Sequence, residues 1–191
     1  MPQSRRYKKK KSAGKAILAW IIVLAILAAG VLVFVSVFYE DAKKKLDEMN
    51  YPRTYSTYVE KAAKDYDLDP ALIYAVIHTE SGFDPKAESG VGAKGVMQMM
   101  PSSFEWLQEQ RGCAGQYTED DLFDPEICID YGSYLLKYFY DYYGTERSAI
   151  AAYNAGFVVS DWLNDTNYSS DGKNLDSIPY PETENYVDKV E

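Results

Sequence analysis

Histidine is nearly missing from this 191-residue chain, in which His78 stands alone. Cysteine is almost as scarce, with Cys113 and Cys128 too far apart to form a C-x-x-C pair. Without a His/Cys cluster there is no zinc site to propose, and a histidine-based nucleophilic triad has one residue to draw on. No metal and no cofactor is therefore expected. Strand signals are few, and no internal repeat is visible. Positive charge is also scarce over most of the chain. Seven of the 20 basic residues (Arg5, Arg6, Lys8, Lys9, Lys10, Lys11 and Lys15) fall in the first fifteen positions, leaving 13 basic against 29 acidic side chains, net −16, in the rest. Such a body repels phosphate backbones, and its basic residues form no stripe, so nucleic acid is not expected as a ligand.

What the chain does have is one long apolar run. Residues 16–39, AILAWIIVLAILAAGVLVFVSVFY, carry no charge. At 1.5 Å per residue such a run spans a hydrocarbon core of about 30 Å as a helix. A cleaved signal peptide is the competing reading. The run exceeds the usual apolar region of such peptides, however, and Ala28, Ala29 and Gly30 lead into VLVFVSVF rather than a polar start. An uncleaved transmembrane helix is the favoured expectation, with residues 1–15 as a basic cytoplasmic N-terminus and everything after residue 40 outside. Residues 40–55 mix charges with Pro52 and read as a juxtamembrane helix and spacer.

The remainder, residues 56–191, suits a single domain with one core. Asp69-Pro70 predicts a helix start, and ALIYAVIHT behind it is apolar on nearly every side, as a central buried helix is. Ser102 with Glu105 predicts a capping box opening a second helix that closes at Gly112. Asp124-Pro125 opens a third that runs to Gly144, Thr145 caps a fourth that stops at Gly156, and Pro181 opens the last. The expected fold class is mainly α. Cys113 and Cys128 lie in the exported part, where a bridge would close a loop worth about 3 kcal/mol; a buried thiol at Cys128 is the equal alternative.

Glu80 ends the apolar helix. The negative end of the helix dipole, with Val76, Ile77 and Phe83 nearby in sequence to exclude water, favours its neutral form. A carboxylic acid that keeps its proton near neutral pH is what glycosidic cleavage requires, because the departing oxygen must be protonated. A surface carboxylate at a helix end is the plainer reading of the position alone. Glycosidases ordinarily present two carboxylates, and no convincing partner is visible, since Asp84 precedes Pro85 and reads as a turn residue. Gly90, Gly92 and Gly95 give a backbone that a sugar can approach closely, Gln98 offers a donor and an acceptor, and Tyr153 can bond Glu80 or stack on a sugar. At least two of Met97, Met99 and Met100 are expected to fill the core.

Three blocks in order, ESGFDPKAESGVGAKGVMQMMP from Glu80, AAYNAG from Ala151 and IPYPETENYVDKV from Ile178, closely resemble the soluble lytic transglycosylase family. The resemblance implies a lysozyme-like helical fold and a catalytic domain over residues 56–191. Position by position it implies Glu80 as acid and base, Ser81 as the second residue of the Glu-Ser pair, and Ser89 near the substrate's N-acetyl group. It also implies Met97 and Gln98 in the block along the cleft, Tyr153 and Asn154 as a substrate-binding pair whose tyrosine acts close to the carboxylate, and Glu182 with Tyr186 closing the far side. Two departures stand out: FVVSD before Trp162 lacks the family's further glycine, and Glu184 replaces a residue that is often basic. The expected activity is cleavage of peptidoglycan glycan strands between N-acetylmuramic acid and N-acetylglucosamine, with a 1,6-anhydro product, at the outer face of a bacterial membrane and in possible company of envelope-machinery proteins. The alternatives are a hydrolytic muramidase like the goose-type lysozymes, and a non-catalytic peptidoglycan-binding scaffold.

Overall fold

The computed structural model describes the backbone of residues 13–50 and 54–191, and side chains over 17–39 and 54–191. The chain divides into two compact units, Met1–Pro52 and Arg53–Glu191. In the first, helix α1 (Ala13–Asn50) contains the 23-residue stretch Ile17–Tyr39, of mean hydropathy 3.1, with its side chains exposed. By length and composition it is able to cross a membrane. Residues 1–12 of the expected basic N-terminus, and 51–53 of the expected spacer, lie outside the described residues.

The second unit is helical, and among the described residues it contains no strand. Helices α2 (Ser56–Tyr66), α3 (Pro70–Ser81), α4 (Pro101–Gln110), α5 (Pro125–Tyr143), α6 (Glu146–Ala155), α7 (Val159–Asn164) and α8 (Pro181–Val190) follow in order, with short 3-10 turns at Glu119–Phe123 and Gly156–Val158. Three of the starts rest on the local chemistry read above. Asp69 Oδ1 accepts from the Ala71 N–H at 2.8 Å and Asp124 Oδ1 from the Glu126 N–H at 2.9 Å, each followed by proline at the first helical position. Thr145 Oγ1 accepts from the Ser148 N–H at the head of α6. Glycine in the left-handed region ends α3 at Gly82 and α5 at Gly144.

The start of α4 differs from expectation. Pro101 takes the first helical position and Met100 the cap position, so Ser102 lies inside the helix and caps nothing. Proline is favoured there because its missing N–H is one that no helical carbonyl needs, and this draws the helix start forward. A capping box does form one turn element later. Thr118 and Asp121 exchange bonds at the head of the Glu119–Phe123 turn, where Asp121 Oδ2 accepts from the Thr118 N–H at 2.7 Å.

The long helix α5 is the spine, packed against α2 on one side and α6 on the other, while α3 lies between α2 and α8. Leu72, Ile73, Val76 and Ile77 of α3 are buried, together with Ile129, Leu136 and Phe139 of α5 and Val187 of α8. Each such side chain contributes about 1.5–3 kcal/mol on leaving water. This core fixes α3 by its sides and leaves its last turn at the margin, facing the loop of residues 82–100.

That loop is held without a strand. Glu88 and Lys94, and Lys94 and Met99, form isolated antiparallel bridges. Lys94, itself only 8% exposed, reaches Glu119 and Asp120 at 3.2 and 3.1 Å. Asp84 acts as the turn residue expected of it, its Oδ1 accepting from the Lys86 N–H at 2.8 Å.

Asp69→Ala is expected to lower stability by about 1 kcal/mol through loss of the cap, whereas Ser102→Ala is expected to fall within about 0.5 kcal/mol of the wild type. Denaturant unfolding of the full chain measures both, and equal losses would contradict the cap assignment.

Candidate active site

Glu80 occupies the last turn of α3, part-buried between the loop and α8. Its Oε1 accepts the hydroxyl proton of Tyr186 at 2.7 Å, a bond between residues 106 positions apart. Burial pushes the carboxyl up to about 7, with the Tyr186 hydroxyl pulling the other way because it favours the charged form. Burial, with the nearby Glu80 carboxylate adding to it, raises the phenols of both Tyr186 and Tyr153 well above the ordinary range of tyrosine. The acid thus sits among neutral hydroxyl donors, and no cation is among the causes that set its proton affinity.

The floor beside Glu80 is the backbone of residues 94–98. Gly95 has φ 77°, and a Cβ there would lie 2.0 Å from the Leu122 carbonyl oxygen and 2.9 Å from Cys128 Sγ, so no larger residue fits. Beneath it Cys128, on the first turns of α5, takes the Met97 N–H at 3.4 Å and gives its own proton toward the Lys94 carbonyl at 3.8 Å. One turn along α5, Gly132 presents a bare backbone to Met97, whose Sδ would lie 2.6 Å from any Cβ added there. The Ser81 hydroxyl donates to the Val96 carbonyl at 2.8 Å, and the Tyr153 hydroxyl to the Met97 carbonyl at 2.9 Å. Three side chains from three helices, Ser81 of α3, Cys128 of α5 and Tyr153 of α6, therefore hold one short stretch of main chain level with the acid.

The residues singled out by resemblance divide accordingly. Glu80 and Tyr186 come together, and it is Tyr186 and not Tyr153 that bonds the carboxyl. Ser89 lies at the loop tip, its Oγ accepting from the Ala93 N–H at 2.9 Å, which leaves the hydroxyl proton to give. Gln98, held at φ 46°, spends its amide protons on the Ala87 and Gly95 carbonyls at 3.0 Å each, and its amide oxygen is the part left for a ligand. Asn154 is exposed, and its Oδ1 accepts from Thr183 Oγ1 at 2.8 Å, tying α6 to α8. Glu182 is exposed at the head of α8.

For the methionines and the thiols the structure takes one of the two readings left open in the sequence. Met97 is completely buried against α5 and Met99 is 2% exposed, so these two fill the core as expected of at least two of the three methionines, and it is the Met97 carbonyl that Tyr153 engages. Ser81 faces the main chain rather than the cleft, because its hydroxyl is drawn to the Val96 carbonyl. Cys113 and Cys128 are both free thiols. Cys128 lies under the cleft floor, where burial pushes its thiol up to about 12, whereas Cys113 lies against the Tyr131 hydroxyl at 3.3 Å, so the two sulfurs serve different neighbours. Cys128, Gly132 and Thr183 escaped the sequence reading as site residues. Gly132 alone left a trace, as a glycine inside a helical pattern where it costs about 1 kcal/mol unless close packing requires it.

Residues 57–175 match the family model described as the transglycosylase SLT domain. The chain is 32% identical over 146 residues to a soluble lytic murein transglycosylase of Escherichia coli K12, covering 75% of this chain and 23% of that one. It is 35% identical over 113 residues to a membrane-bound lytic murein transglycosylase C of Actinobacillus succinogenes, covering 54% and 32%. The crystal structure of the 70 kDa soluble lytic transglycosylase of Escherichia coli superimposes with a TM-score of 0.66 at 29% identity, covering 75% of this chain and 24% of that one. The chain thus spans about a quarter of the length of these soluble relatives. Tyr186 lies beyond the residues that match the family model.

Glu80 has a folded-state proton affinity near 7 against an ordinary value near 4.5, so the native state binds its proton more tightly than the unfolded chain. The stability this gives is fully present below pH 4.5 and is lost as pH rises through 7. Glu80→Gln removes that dependence. The variant is expected to match the wild type near pH 4.5 and to exceed it by about 2–3 kcal/mol at pH 8. Unfolding of both proteins at the two pH values measures it; a constant offset would contradict the buried acid.

Proposed function

Because the chain belongs to the transglycosylase SLT domain family, we propose that it is a peptidoglycan lytic transglycosylase in which Glu80 acts alone as acid and then base. The observation that carries this reading is a single carboxyl, buried enough to keep its proton near neutral pH and held by Tyr186. A second carboxylate poised for a nucleophile's part is not found beside it among the described residues. Asp84 Oδ1 is engaged by the Lys86 N–H, and Glu182 is exposed.

A lone carboxyl suits a substrate that supplies the missing groups. Glu80 gives its proton to the bridging oxygen as the bond from muramic acid C1 breaks, and the departing N-acetylglucosamine leaves as an alcohol. The 2-acetamido oxygen of N-acetylmuramic acid bonds to C1 and holds the positive charge. The same sugar's 6-hydroxyl then attacks C1, releases the acetamido oxygen and returns its proton to Glu80, which is ready again. Water enters nowhere, and the product is a 1,6-anhydromuramic end. Tyr186 keeps the carboxylate formed midway from being too basic to tolerate. On this reading the Gln98 amide oxygen and the Ser89 hydroxyl, with Asn154 and Glu182 across the cleft, meet the acetamido and hydroxyl groups of the sugars.

The apolar stretch Ile17–Tyr39 carries a further part of the proposal. It anchors the protein in the bacterial cell membrane as a single span with the basic N-terminus inside, so that residues 56–191 work on the wall from the outer face.

Purified peptidoglycan digested by the full chain is expected to yield muropeptides about 18 mass units lighter than hydrolysis would give, and Glu80→Gln is expected to release none while remaining folded. Hydrated ends in the mass spectrum would point to a muramidase instead, and near-normal cleavage by Glu80→Gln would remove the assignment of the acid.

Tyr186→Phe deletes a bond that favours the carboxylate, so it is expected to raise the Glu80 proton affinity further above 7 and move the alkaline limb of kcat/KM to higher pH. A limb displaced to lower pH would contradict the geometry.

A further inference from the structure

One cluster of rings takes no part in the chemistry proposed above. Phe157, in the turn that follows α6, is 50% exposed, and Tyr142, near the end of α5, is 58% exposed. Trp106 of α4 and Tyr138 of α5 join them. The Trp106 ring lies 5.0 Å from Tyr138 and 6.4 Å from Phe157, and Phe157 lies 5.9 Å from Tyr142, each pair edge to face. The rings are fixed by one another, yet two of them keep half or more of their surface in water. Such a patch on a small domain marks a contact surface.

Its place in the fold relates it to the cleft. Two chain segments leave the cleft and converge on it: Phe157 follows Asn154 by three residues, a span of at most about 11 Å. Trp106 follows Gln98 by way of Met100, which is 39% exposed, and meets Phe157 from the other side. Helix α5 underlies both and serves as a ruler. Gly132 seats Met97 under the cleft floor, and Tyr138 and Tyr142 stand six and ten residues further on, about 9 and 15 Å along the axis.

The chemistry of the patch selects its occupant. The contacts within it are ring to ring, with no cation among them, and the body that carries it has a net charge of −16 after the first fifteen residues. An anionic lipid surface calls for lysine and arginine. The C–H faces of a pyranose ring call for flat apolar area with a negative π-face, which tyrosine, tryptophan and phenylalanine supply. The substrate proposed above is a polymer of such rings, and it continues past the bond that is cut.

We propose that Trp106, Tyr138, Tyr142 and Phe157 form a stacking platform for sugar units of the glycan strand a short way beyond the cleft. The proposal rests on the reading of Glu80 as the acid of a glycan-cleaving enzyme. Strands long enough to reach the platform gain binding from two connected sites, while short fragments occupy the cleft alone. The protein therefore prefers long strands.

The test compares the full detergent-solubilised chain with Phe157→Ala and Tyr142→Ala on two substrates, long glycan strands and a tetrasaccharide fragment, with circular dichroism to confirm folding. Each variant is expected to raise KM on long strands about ten-fold, the scale of one lost ring contact, with kcat on strands and all constants on the tetrasaccharide unchanged. Phe157→Trp is expected to restore the strand KM. Folded variants that lose activity equally on both substrates, or on neither, overturn the platform. Pelleting with insoluble sacculi and with anionic vesicles decides the matter separately from catalysis. Weaker pelleting of Phe157→Ala with sacculi supports the platform, and weaker pelleting with vesicles alone overturns it in favour of a membrane contact. A wild type that cleaves neither substrate removes the enzymatic reading, and the sacculus pelleting still tells whether the rings hold glycan.

Discussion

An acid that must hold its proton at neutral pH has to be sheltered from water without being offered a cation, and the arrangement of this domain follows from that demand. Glu80 meets it by standing at the last turn of a helix buried on its flanks, with neutral phenols around the carboxyl. A lysine or arginine at the same distance would favour the carboxylate and leave no proton to donate. Tyrosine is the compromise: a donor that steadies the carboxylate once formed, yet is itself too buried to ionise. The price of this shelter is stability at alkaline pH, which the core contributed by α3, α5 and α8 has to offset.

The second requirement is a floor. On the proposed reading main chain has to run close beside the acid to receive a sugar, and main chain in a loop is hard to hold still. Here the loop borrows rigidity from α5. Gly95 and Gly132 allow contact distances that a single methyl group would forbid, Cys128 satisfies the Met97 N–H from below, and Lys94 is clasped by Glu119 and Asp120. The two isolated bridges at Lys94 show how little ladder is needed once a helix supplies the support.

Much of the fold was legible in the sequence because its punctuation is local. Asp69-Pro70, Asp124-Pro125, Gly144 and Pro181 each act within a turn of themselves, and the structure places helix ends at all of them. Ser102 misled for the same reason, since a proline one position earlier outcompeted it. Glu80 was legible as the end of an unusually apolar helix. Its partner was not legible from the residues alone, because nothing in the vicinity of Tyr186 marks it as reaching back 106 positions; the resemblance to a known family was what pointed there. The inward turn of Ser81 and Met97, and the separate lives of the two thiols, depend on which face of α5 meets which loop, and a one-dimensional pattern does not carry that information.

The bond between Glu80 and Tyr186 also sets an order of events. A growing chain emerges with its amino end first, so the glutamate is made before α8 and waits without the phenol that engages it. The bond to its carboxyl forms only when α8 docks. On the proposed reading, a copy whose synthesis has not reached α8 lacks the residue that tunes its acid, and folding itself completes the pair.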